Sequence, residues 1–288
     1  MGRKWCGIFL FFLFSLAAHA ENGGENTVYY TEEDRAVFDR FLREMESKKS
    51  LPVGDLTVET ARFFLNRPYV SATLEKEPEG LVVNLRELDC TTLVETTFAL
   101  VQTLKDPAPS FDVFCDYLRQ IRYRDGVIRD YTDRLHYMTD WIYENQRKGW
   151  VRDVNREIGG QPLDLALSFM STHPASYKQL KNCPAYVARM AAKEKEISSR
   201  SFYYLPETEI DRHASEIENG DMVCFVTTIK GLDVSHVGII CRVGEKLTFL
   251  HASTTARKVI INDEPLQAYV QGNKRNRGVM LVRPVGRY

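Results

Sequence analysis

What most constrains this chain is a change of hydrophobic period just after residue 202. Up to there, apolar residues recur every three to four positions, as on one face of a helix; beyond it they alternate or run on, as in strands. Residues 221–226, entered from Asn219-Gly220, read as a strand. Residues 234–243 and 247–252 read as two more, joined by the hairpin turn Gly244-Glu245-Lys246. Residues 258–262 and 279–283 continue the pattern. Helices first and antiparallel strands last predict an α+β fold.

The helical part begins at Thr31, which caps a helix to about residue 48 with Val37, Phe38, Phe41, Leu42 and Met45 on one face. A short helix is expected at about 57–65, ending before Pro68. Residues 81–85 read as an extended pass. Asp89 is a good N-cap, and Leu93, Val94, Thr97, Leu100, Val101 and Leu104 mark a helix from Cys90 to about Lys105, where Pro107 and Pro109 stop it. Residues 111–158 read as mostly helical, and 163–200 as two short helices split at His173-Pro174 and Asn182-Cys183-Pro184. The charged tract 191–200 is expected to be exposed.

Residues 1–20 carry the marks of a cleaved secretory leader: Arg3 and Lys4, an apolar run from Trp5 to Leu16, and Ala18-His19-Ala20 as the cleavage site. The run is too short for a membrane anchor, and no later stretch would span a membrane. This predicts a periplasmic or secreted protein of residues 21–288, read as a single domain. Removing the leader takes away two cations and no acid, so the net charge moves from −1 to −3, against a nucleic-acid partner. Five cysteines remain, an odd number that leaves at least one thiol unpaired and does not suit a disulfide scaffold. Cys224 and Cys241 fall on strands expected to be neighbours, and whether they pair depends on their Cα separation.

Cys90 is the first candidate for chemistry. A lone cysteine is more often a buried small hydrophobe than a nucleophile. Its polar company, Asp89, Thr91 and Thr92, and its place in the first turn, where free N–H groups favour a thiolate, point the other way. His236 sits in an apolar strand, with Gly238 leaving room for a close approach. His251 follows across the hairpin turn, which brings the two histidines onto neighbouring strands. That suits a base and the residue that orients it. His136 is expected on a solvated helix face, and His173 and His213 in loops. The chain has no His-Glu-x-x-His motif, although Cys90, His236 and His251 could themselves make a zinc site of one thiolate and two imidazoles.

Taken in order, Asp89-Cys90, Gly220-Asp221, His236-Val237-Gly238 and His251-Ala252-Ser253, with Pro68-Tyr69-Val70 upstream, resemble the NlpC-type, papain-like cell-wall hydrolases. The octapeptide Leu-Asp-Cys-Thr-Thr-Leu-Val-Glu and the long interval from Tyr69 to Cys90 resemble the N-acetylmuramoyl-L-alanine amidase-like branch. The resemblance implies a papain-like core, with Cys90 opening a helix packed on the antiparallel sheet and a large helical insertion at about 105–215. It implies Cys90 as nucleophile, His236 as general base, His251 as the orienting residue and Tyr69 as an aid to the oxyanion. It implies action without metal or organic cofactor on peptidoglycan or muropeptides at the bond between N-acetylmuramic acid and L-alanine; a monomer is expected. The alternatives are an endopeptidase of the same fold cutting between D-glutamate and a diamino acid, a zinc hydrolase, or a non-catalytic cell-wall binder. Tyr117, Tyr123, Tyr131, Tyr137, Trp141, Tyr143 and Trp150 read mainly as core and groove wall.

Overall fold

The computed structural model describes residues 19–21 and 27–286. The expected leader therefore lies outside the described residues, except for its last two. Those two and Glu21 form β1 (His19–Glu21), which pairs antiparallel with β2 (Val28–Tyr30). Helices α1 (Glu32–Met45) and α2 (Val53–Arg62) follow, then β3 (Leu81–Val82), which runs parallel to β2. Next come α3 (Cys90–Lys105), α4 (Phe111–Arg122), α5 (Met138–Arg147), β4 (Val151–Asp153) and β5 (Gln161–Leu163). After α6 (Phe169–Thr172), α7 (Pro184–Ser198) and β6 (Phe202–Pro206), the chain enters β7 (Met222–Thr227), β8 (Val234–Val243), β9 (Lys246–Ser253) and β10 (Lys258–Ile261). Helix α8 (Leu266–Gly272) and β11 (Asn276–Pro284) close the fold.

Main-sheet order is β10-β9-β8-β7-β11-β6-β5, with β4 also paired to β11, and every pairing is antiparallel. The fold is thus mixed α and β, as expected. It departs from expectation within 105–215. That tract is not purely helical, because β4, β5 and β6 come from it and extend the sheet beyond β11. Residues 123–137 form short 3₁₀ turns and loop rather than a helix. The second helix starts earlier than expected, at Val53, because Pro52 fixes the extended backbone that precedes it. Helices α6 and α7 lie either side of the stretch from His173-Pro174 to Asn182-Cys183-Pro184, as expected, but α7, opened by Pro184, is 15 residues long rather than short. Its charged end is not wholly exposed: Glu194 is buried and accepts from the Tyr137 hydroxyl and the Ser171 N–H.

Two apolar layers flank the sheet. The larger includes Cys224, Val237, Ile239, Leu250 and Met280, packed with α2, α3, α4 and α5. The smaller gathers Val223, Phe225, Phe249, Val279 and Leu281 with Leu266 and Val270 of α8. Tyr123, Tyr131, Tyr137, Trp141 and Trp150 are buried, in line with a core role, while Tyr143 is exposed.

Buried charges tie these layers together. Arg122 of α4 and Glu95 of α3 are each 2% exposed and meet at 2.6 Å; Arg122 also donates to the Val82 carbonyl, and Trp141 Nε1 donates to Glu95. The Gly220-Asp221 pair serves the frame. Gly220 has φ +84° and lies so close to Gly54 that a side chain there would overlap its carbonyl. Buried Asp221 takes both arms of Arg283, clamping β7 to β11.

Candidate active site

Asp89 caps α3 as its sequence suggests. Its side chain accepts from Thr92 N–H at 2.8 Å while Thr92 Oγ1 accepts from Asp89 N–H at 2.9 Å, a reciprocal capping box. Cys90 is therefore the first residue of the helix, half-buried, with its sulfur facing the N–H groups of Thr91 and Val237. Those N–H groups do not make it a resting thiolate. Burial, joined by the Asp89 carboxylate, outweighs them and pushes the thiol up to about 11. This corrects the expectation drawn from the helix terminus alone.

Tyr69 reaches the same place by backbone pairing. Residues 66–70 run between β10 and the approach to Cys90: Asn66 N–H donates to the Val259 carbonyl, Tyr69 N–H to Arg257, and Val70 N–H to Leu88. Tyr69 thus lies beside the loop that ends at Asp89. Burial, then the neighbouring Cys90 and Asp89, push its phenol up to about 12.

The hairpin delivers the histidines. Phe225 pairs with His236 and Val226 with Val234, so Ser235 is an extra residue, a β-bulge immediately before His236. Bulges re-aim neighbouring side chains and are common beside active sites. His236 Nε2 lies 2.6 Å from His251 Nδ1. Gly238 makes this possible, since a Cβ there would stand 2.9 Å from the Leu250 carbonyl and 3.4 Å from His251 Cβ. Phe225, Phe249 and Tyr269 crowd the two imidazoles with ring contacts of 4.7–6.1 Å. Desolvation in this aromatic setting lowers His236 to about 4 and, with His236 as neighbour, His251 to about 3. Both rings are neutral near pH 7.

Tyr69, Cys90, His236 and His251 line one cleft of about 710 Å³, with Ser253, Asn262, Glu264, Tyr269 and Arg275 among its walls. The structure thus brings together all four residues singled out from sequence. It does not bring in His173 or His213, and none of the insert's seven aromatics lines this cleft. One residue departs from expectation. His136 is on no helix and on no solvated face; it lies in the loop before α5, its ring 4.3 Å from that of Tyr131, and lines a smaller cavity with Cys90 and His236. Nothing in its local sequence signals this, because only the folded chain brings that loop to Cys90.

All five cysteines among the described residues are free, Cys224 and Cys241 included. No cluster of three or more His, Cys, Asp or Glu among the described residues is placed to hold a metal ion. No helix among them is long and apolar enough to cross a membrane.

Residues 59–279 match the AmiA-like family, described as N-acetylmuramoyl-L-alanine amidase-like. The chain belongs to that family. Among solved structures it is similar to an N-acetylmuramoyl-L-alanine amidase from Bacteroides uniformis ATCC 8492, with 39% identity and a TM-score of 0.78 over 81% of this chain and 98% of that one. A Bacteroides fragilis protein provisionally named a xylanase is similar at 38% identity and a TM-score of 0.75, over 78% and 99%. A protein from Legionella pneumophila str. Philadelphia 1 shares the fold at 20% identity and a TM-score of 0.66, over 88% and 97%. No curated protein matches the chain.

Proposed function

We propose that this AmiA-like chain is an exported, NlpC-type, papain-like cysteine amidase that cleaves the amide between N-acetylmuramic acid and L-alanine in peptidoglycan fragments. The observation that carries the reading is the shared cleft: Cys90 at a helix start and a hydrogen-bonded pair of neutral imidazoles line one cavity large enough for a muropeptide end. Family membership and the likeness to the B. uniformis amidase support the choice of bond.

The protonation states follow from the contacts. For His236 to act as a base its Nδ1 must be free of a proton, so Nε2–H donates to His251 Nδ1. His251 then carries its own proton on Nε2, a buried atom without a hydrogen-bond partner among the described residues. Because Cys90 rests as a thiol and His236 as a neutral ring, proton transfer accompanies attack. Cys90 Sγ bonds to the lactyl carbonyl carbon as His236 takes the thiol proton. The oxyanion is held by the Cys90 N–H, which as the first residue of α3 has no intrahelical acceptor, and by the Tyr69 hydroxyl; such a donor is worth about 10²–10³ in rate. His236 returns the proton to the leaving L-alanine nitrogen and the C–N bond breaks, leaving a thioester. Water then hydrolyses it with His236 again as base. His251 is the positioning residue for His236.

The name of the B. fragilis relative raises glycoside hydrolysis as a second reading. That chemistry usually needs two carboxylates astride the bond, and among the described residues Glu264 is the one carboxylate along the cleft wall. Digestion of purified muropeptides by wild type and Cys90→Ala, with products weighed, tests the proposal. Release of an L-alanine-led peptide from an intact sugar, lost in Cys90→Ala, is expected. A cut after D-glutamate would make the chain an endopeptidase. Loss of activity to a chelator but not to thiol alkylation would make it a metal enzyme.

A further inference from the structure

The proposed mechanism engages His236 and His251, and a third imidazole, His136, borders a cavity beside the nucleophile. This cavity of about 90 Å³ adjoins the main cleft and is lined by Cys90, Thr91, His136, Met138, Asp233, Ser235 and His236. It shares Cys90, Leu232, Val234, Ser235 and His236 with the large cleft but is far too small for a sugar. It has room for a few water molecules, each needing polar partners.

His136 is well defined within it. Its Nε2 lies 2.9 Å from the Tyr131 carbonyl oxygen, which can only accept, so Nε2 carries the ring proton. Nδ1 is then a lone-pair acceptor. It makes no hydrogen bond to the described residues, and it is not among the buried polar atoms shut away from solvent. Burial and the nearby Arg134 guanidinium lower His136 to about 3, so the ring stays neutral and does not compete for protons.

We propose that His136 is a positioning residue that holds the water which hydrolyses the Cys90 thioester. The inference rests on the cysteine-amidase reading. The sugar and the leaving peptide occupy the large cleft, and the water waits in the small one. One of its hydrogens points to His136 Nδ1 and the other to His236 Nδ1. Its oxygen adds to the acyl carbon as His236 takes the second proton. The C–S bond then breaks, the free acid forms on the lactyl group, and Cys90 regains its proton from His236.

The test compares wild type with His136→Met, His136→Ala and His136→Gln on a purified disaccharide-tetrapeptide, by rapid quench, intact-protein mass and thermal melting. Gln offers a donor for the Tyr131 carbonyl and an acceptor for water, whereas Met fills the space without an acceptor. In Met or Ala, whichever folds, the first turnover should stay within a few-fold of wild type. Steady-state turnover should fall by up to about 10², the scale of a misplaced reactant, with acylated Cys90 accumulating. Gln should restore most of the steady-state rate, and hydroxylamine, a substitute nucleophile, should accelerate the Met variant. Equal slowing of both phases without acyl-enzyme, or turnover in Met equal to wild type, would overturn the role of His136. If wild type never forms a hydroxylamine-sensitive Cys90 adduct, it is the cysteine reading that fails.

Discussion

Arg122→Met is predicted to unfold the chain far below its normal midpoint, and Glu95→Met/Arg122→Met together to undo much of the damage. Arg122 and Glu95 are each 2% exposed and 2.6 Å apart. Removing the cation strands a buried carboxylate, which costs about 3–5 kcal/mol. At roughly 2 °C per kcal/mol for a chain of this size, the melting point should drop by about 6–10 °C. The double variant removes the stranded charge but leaves Trp141 Nε1 without its Glu95 acceptor and the Val82 carbonyl without its Arg122 donor, a residual loss of about 1–3 kcal/mol for each. The two single losses should therefore exceed the double loss by several kcal/mol in a double-mutant cycle read by denaturant melts. An Arg122→Met variant within about 1 kcal/mol of wild type, or a double variant equal to the sum of the singles, would refute this. The pair matters for function because Glu95 lies five residues after Cys90 on α3. It fixes the rotation of the helix that presents the thiol.

Two further outcomes follow from the site. A base must be neutral to act, and His236 is lowered to about 4 from 6.5, so kcat/KM should hold down to about pH 5, where an ordinary imidazole is mostly protonated; a midpoint near 6.5 in the pH profile would contradict the buried-pair account. Gly238→Ala should place a methyl 2.9 Å from the Leu250 carbonyl and the Phe249 ring, displacing His251 and cutting kcat by about tenfold or more with a smaller change in KM; unchanged kcat in a folded variant would sink the close-approach argument.

Much of the site was legible because its signals are local. A capping residue, a first-turn cysteine and an apolar stripe are contiguous from 89 to 104, and α3 runs over Cys90–Lys105 as they predict. The hairpin that places His251 near His236 needs only one tight turn and its register. Strands β4, β5 and β6 were hidden for the opposite reason. The first two are only three residues long, and all three are recruited through pairings that end on β11, more than 70 residues beyond β6. Such strands carry no usable alternation of their own. The bulge at Ser235 exists only relative to β7. His136 and the protonation of Cys90 depend on what surrounds them in three dimensions, and the dipole at a helix start is a poor guide when burial acts against it.

The central claim is a thioester between Cys90 and the muramoyl lactyl carbon. Its most direct test is the intact mass of the protein quenched during turnover of a disaccharide-tetrapeptide, with the adduct mapped by peptide digestion. The account predicts a gain equal to the disaccharide acyl group alone, carried on Cys90 and absent from Cys90→Ala. A gain that also includes L-alanine and D-glutamate, or turnover with no adduct under conditions that trap thioesters, would contradict it.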